Sequence, residues 1–116
     1  MIPAGNLLTA LPEASRAEVV ETLLEASDWR LLRIVSAGQA TAAGEWYDQD
    51  EAEWVLVLAG RAALELEGED APRLLGPGDW LLLPAHCRHR VAWTDDAGPT
   101  VWLALHHRDA IASSPA

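Results

Sequence analysis

Two histidines three positions apart, His86 and His89, sit in the stretch Gly76–Trp93, GPGDWLLLPAHCRHRVAW. An imidazole can carry a proton near neutral pH or ligate a transition metal, so paired imidazoles at a chain corner are the first candidates for chemistry. The corner has local causes. Gly76-Pro77-Gly78-Asp79 supplies turn geometry, Trp80–Leu83 is a short apolar run, and Pro84 ends it because proline cannot donate to a sheet ladder. On the strand that follows, His89, Val91 and Trp93 share one side and Arg88, Arg90 and Ala92 the other. Two arginines belong in water, so His89 is expected to face inward. A lone inward histidine is commonly structural, hydrogen-bonded to a neighbour, and His86 can equally bond backbone at the corner.

A carboxylate lies further back. In Glu53-Trp54-Val55-Leu56-Val57-Leu58, Glu53 shares a side with Val55 and Val57. A carboxylate on an inward face must be paired, protonated or coordinating, since a bare buried charge costs several kcal/mol. His106 and His107 are adjacent, so on a strand they point to opposite faces. One can reach an interior and the other the surface, although a solvated strand end explains both. Cys87 has no assigned base and makes a poor nucleophile candidate. Asp48, Asp50 and Glu51 form an acidic run that reads first as a solvated loop.

The elements that must position these groups are short. Ser15 with Glu18 forms a capping box, and Val19, Val20, Leu23 and Leu24 recur at helical spacing, which predicts a helix over about Arg16–Ala26. After it come seven or eight short strands separated by turns, including Trp29–Ser36, Trp54–Leu58, Arg61–Glu67, Arg73–Leu75 and Thr100–His107. Such spacing predicts an all-β sandwich or barrel. The divisions expected are an irregular segment and helix over 1–28, a barrel over 29–108 and a frayed tail over 109–116. The strand Trp54–Leu58 is apolar on both faces and so needs a cover on each, the barrel interior on one side and the helix or a second subunit on the other. A homodimer is therefore expected.

Composition narrows the function classes. The chain has 116 residues, enough for one domain with one core. Its net charge is −10 and it contains no lysine, so a phosphate backbone would be repelled and Schiff-base catalysis by lysine is excluded. Nucleic acid is not an expected partner. No apolar run approaches the roughly 18 residues of a membrane helix, and the N-terminus lacks the basic flank of a secretory signal. With the single cysteine, these features lead to an expected cytoplasmic location and no membrane association.

The residues resemble the cupin family of small jelly-roll β-barrels. The second cupin motif is matched by Gly78, Pro84 five residues later, and His89 in the histidine place. His86 stands where the motif has glycine and Trp93 where it has asparagine. The end of the first motif is matched by Glu53 and Gly60, with Gly44 as its leading glycine, while the two histidine places hold Tyr47 and Gln49. The resemblance spans about residues 30–107. It implies that the strands following the expected helix close into a cupin jelly-roll barrel, and that a divalent transition metal is held by Glu53 and His89. Gln49 and His86 are further candidate ligands, Tyr47 a weaker oxygen donor, and Tyr47 or His86 a candidate proton carrier. Trp46 and Trp93, near the motif positions, are candidates to line a pocket. Two function classes remain: a metal-dependent enzyme acting on a small molecule, and a metal-free module binding a small organic or carbohydrate-like ligand. A purely dimerising or regulatory barrel is a third option.

Overall fold

The computed structural model describes residues 1–113. Eight strands account for its regular structure: β1 (Val19–Glu25), β2 (Trp29–Ser36), β3 (Ala52–Ala59), β4 (Ala62–Leu66), β5 (Arg73–Leu75), β6 (Trp80–Leu83), β7 (His89–Thr94) and β8 (Thr100–His107). They form a five-stranded sheet in the order β1-β2-β8-β3-β6 and a three-stranded sheet in the order β5-β4-β7, with every named pair antiparallel. The sheets face each other across a core of Val55, Val57, Ala62, Leu64, Leu75, Leu83 and Trp102.

The expected N-terminal helix is absent, and among the described residues there is no helix at all. Val19–Glu25 is instead the edge strand of the larger sheet, paired along β2 from Val19↔Val35 to Glu25↔Arg30. The register shifts between Thr22 and Leu24, a bulge at Leu23. Val19 and Leu23 are half-buried on one face and Val20 and Leu24 exposed on the other, so apolar residues on both faces imitate a helical stripe. The capping-box residues serve other ends. Ser15 donates its backbone N–H to Glu13 Oε1 at 2.7 Å, and Glu18 accepts a hydrogen bond from Ser36 Oγ at 2.9 Å. Within the tail, Ser114–Ala116 lie outside the described residues.

Strand alternation settles which side chains enter the interior. On β3, Glu53, Val55 and Val57 are buried while Trp54, Leu56 and Leu58 are half-buried on the outer face. β8 runs beside it with Glu53↔His106 and Val55↔Ala104 in register, so His106, Ala104 and Trp102 share the inner face. Trp102 is buried and donates from Nε1 to Ser36 Oγ at 3.2 Å. Gly60 closes the β3–β4 turn with φ +84°, and a Cβ there would lie 2.6 Å from Thr100 Cα. No larger residue fits that approach.

Candidate functional site

The turn between β5 and β6, which leads into the histidine corner, is built by its own residues. Asp79 Oδ2 accepts from Gly76 N at 2.8 Å, and Gly78, with φ +91°, donates to Val57 O at 2.8 Å. The Gly78 bond ties this turn to β3. Past Pro84 the chain pairs with residues 47–49: Tyr47 N donates to His89 O at 2.7 Å, His89 N to Tyr47 O at 3.1 Å, and His86 N to Gln49 O at 2.7 Å. The polar segment before β3 is thereby laid beside the histidine corner.

Glu53 lies between two imidazoles. Its Oε1 is 3.5 Å from His89 Nε2 and its Oε2 is 3.3 Å from His106 Nε2. The three side chains are 11%, 7% and 6% exposed respectively, so they interact with little competition from water. His89 Nδ1 donates to Cys87 O at 2.9 Å. Both ring nitrogens of His89 therefore face acceptors, which favours the imidazolium. Burial opposes that charge, but the Glu53 carboxylate and the Cys87 carbonyl prevail and hold the His89 pKa above its ordinary value. Burial likewise pushes Glu53 upward, and the His106 and His89 contacts overcome it, bringing the carboxyl down to about 2.

Around this trio is a cavity of about 260 Å³ between the sheets. Its walls are mainly aliphatic, with Leu32, Ile34, Val55, Leu64, Leu83 and Val91 among them, and Trp102 contributes an indole. Tyr47, Gln49 and Arg30 also line it. The Tyr47 ring stacks on His89 with centroids 5.5 Å apart. Burial and the nearby Glu18 and Glu53 carboxylates push the phenol pKa up, so Tyr47 keeps its proton. Gln49 Oε1 and His106 Nδ1 are buried without hydrogen-bond partners. Beyond the trio, His106 Nδ1 is 4.0 Å from Glu51, which Arg30 holds through two contacts at 3.1 and 3.0 Å.

Four of the five expected site residues, Tyr47, Gln49, Glu53 and His89, line the cavity together. His86 does not. Its φ of +63° turns the side chain outward, where it is 68% exposed and pairs with Asp48 at 2.9 Å. The histidine that completes the cluster is His106, on the strand where sequence left both imidazoles open. Neither Trp46 nor Trp93 lines the cavity. Trp46 lies under the Arg88 guanidinium, and the register shift at Ala92 turns Trp93 outward. Burial and Glu69 raise the Cys87 pKa, keeping it a thiol.

The cupin-domain sequence profile matches residues 32–106. The chain belongs to the cupin family. Among solved structures, a protein from Ralstonia eutropha JMP134, provisionally assigned as a mannose-6-phosphate isomerase, shares 50% identity with this cupin over 93% of its chain and 100% of the other, with a TM-score of 0.90. A cupin superfamily protein from Desulfitobacterium hafniense DCB-2 is 21% identical, with 94% of each chain covered and a TM-score of 0.73. A protein from Thermus thermophilus is 16% identical over 91% of this cupin and 97% of the other, with a TM-score of 0.74. Among curated proteins none matches.

Membership raises the question of a metal. The cavity offers two imidazoles, a carboxylate and an unpartnered amide oxygen, a donor set of suitable chemistry. Their arrangement does not suit an ion. The Glu53 carboxylate occupies the space between the rings, each of its oxygens matched to one ring nitrogen. Among the described residues no three His, Cys, Asp or Glu side chains are spaced to surround a cation.

Proposed function

We propose that this cupin is an enzyme that moves a proton on a small molecule held in the cavity, an isomerisation or tautomerisation that proceeds without a metal. The observation that carries this reading is the ionised Glu53 carboxylate set between His89 and His106 at the wall of an apolar pocket. Glu53, with its carboxyl near 2, is too weak a base to take a proton from carbon at neutral pH. It serves to orient both rings and to stabilise charge on either. His89 carries a proton on Nε2 and gives it to a substrate oxygen. His106 takes a proton from the neighbouring carbon, and Glu53 Oε2 stabilises the imidazolium that forms. One proton leaves carbon and one arrives at oxygen, so the substrate is isomerised with no change in composition, and exchange with solvent returns a proton to His89 and removes one from His106. Tyr47, stacked on His89, supplies a second donor at the cavity. The isomerase assignment of the Ralstonia protein supports this reaction class.

Deuterium incorporation at the α-carbon of cyclohexanone in D₂O, followed by NMR, tests the reading with a simple carbonyl probe. Wild-type protein should accelerate exchange, with His89→Ala and His106→Ala each losing about 10²-fold or more. Binding of the probe with no exchange would instead favour a binding module. Stoichiometric transition metal in tag-free protein would overturn the metal-free form of the proposal.

A second copy of the chain covers the outer face of the five-stranded sheet. Trp54 and Trp80 meet there with ring centroids 6.1 Å apart, and Trp80 is 52% exposed. Aromatic side chains left half-open on a sheet face mark an association surface more often than a solvated one.

A further inference from the structure

We infer that the cavity selects an uncharged molecule with an apolar body and one polar head, and that it rejects phosphorylated sugars, an inference that rests on reading this cavity as the ligand site. A phosphate in a protein pocket needs cations or convergent N–H donors free to receive it. Each cation here already has a carboxylate. Arg30 is held by Glu51 through both terminal nitrogens at 3.1 and 3.0 Å, and His89 faces Glu53. The chain has no lysine to add another, and its net charge of −10 repels a dianion before it arrives. Glu18 adds a further carboxylate to the lining.

The walls argue the complementary half. A sugar presents hydroxyls around its whole perimeter, and each one buried without a partner costs about 1–3 kcal/mol. Val20, Leu32, Ile34, Leu64, Leu83 and Val91 offer no such partners. Among the polar lining groups Arg30 and Glu53 are already paired, and Gln49 Oε1 is without a hydrogen-bond partner. That leaves partners for one polar head, and aliphatic or aromatic carbon suits the rest. At about 260 Å³ the cavity lies just below the range typical for small-molecule sites, so the ligand is compact.

The test titrates the full chain with benzyl alcohol, benzoate, mannose, mannose 6-phosphate and inorganic phosphate, following backbone amide shifts by NMR. Benzyl alcohol should bind at least about tenfold more tightly than any of the others, with shifts centred on Leu32, Leu64 and Val91. Comparable or tighter binding of mannose 6-phosphate, phosphate or benzoate overturns the inference, as does failure of benzyl alcohol to shift those amides. Shifts confined to residues outside the cavity count against it equally. The two readings fail separately. Exchange catalysed on a phosphorylated sugar would sink this selectivity and leave proton transfer standing. Tight binding of benzyl alcohol with no exchange on any carbonyl probe would do the reverse.

Discussion

Replacing Glu53 with glutamine tests the trio through stability, without knowledge of a substrate. The side chain keeps its shape and loses its charge. In the folded protein the carboxyl lies at about 2, against an ordinary value of 4.5, a gap worth about 3 kcal/mol once the group is ionised in both states. Because the folded value is the lower one, this stability is present above about pH 4.5 and is lost as pH falls toward 2. His89 has the opposite sign. Its raised pKa gives stability that is complete below its unfolded value, near 6.5, and fades as pH rises through the folded value. Glutamine can still hydrogen-bond one ring, so Glu53→Gln should lose about 1–3 kcal/mol at pH 6. The loss should shrink steadily between pH 5 and pH 2. Urea unfolding followed by tryptophan fluorescence across that range measures it directly. A deficit that stays constant down to pH 2 would mean that glutamine only packs badly. No deficit at pH 6 would mean that the trio carries no net coupling. Either result refutes the reasoning.

Gly60→Ala should cost more than about 3 kcal/mol, because the new Cβ would sit 2.6 Å from Thr100 Cα, whereas Gly44→Ala, with positive φ but open space around it, should cost about 1; thermal melts of the pair check this. His86→Ala should leave ligand binding and exchange within twofold of wild type, since that ring points to solvent, and a large loss would return His86 to the site. Trp80→Glu should convert a dimer to a monomer in light scattering coupled to gel filtration, and a wild-type monomer at high concentration would contradict the covered face.

Much of the fold was legible because turn residues and alternation act locally. Trp29–Ser36, Arg73–Leu75 and Thr100–His107 form strands at the expected bounds, and Glu53, Val55 and Val57 share the buried face their period of two implies. The resemblance to cupins carried the spacing of Gly60, Gly78, Pro84 and His89, and these residues do build the turns and the corner. What escaped were features fixed by tertiary context. Apolar residues on both faces of β1 disguised it as a helix, and the register shift at Ala92 reversed Trp93. The positive φ of His86 has no sequence signature in a non-glycine residue. His106 was harder still. On β8 both Trp102-Ala104-His106 and Val101-Leu103-Leu105 are largely apolar, so alternation alone cannot choose the inner set. The pairing of His106 with Glu53 across the β3–β8 ladder makes the choice, and only the assembled sheet supplies it.

The central claim is that Glu53 binds His89 and His106 into one proton-sharing unit. Nitrogen-15 NMR of the histidine side chains across pH 5–9, in wild type and Glu53→Gln, tests it most directly. The wild-type spectrum should show His89 titrating above its ordinary 6.5, with its titration moving downward in the variant. The His106 resonances should respond to the same substitution, because Glu53 Oε2 lies 3.3 Å from its ring. A neutral His89 at pH 6, or a His89 that titrates identically with and without the carboxylate, would contradict it.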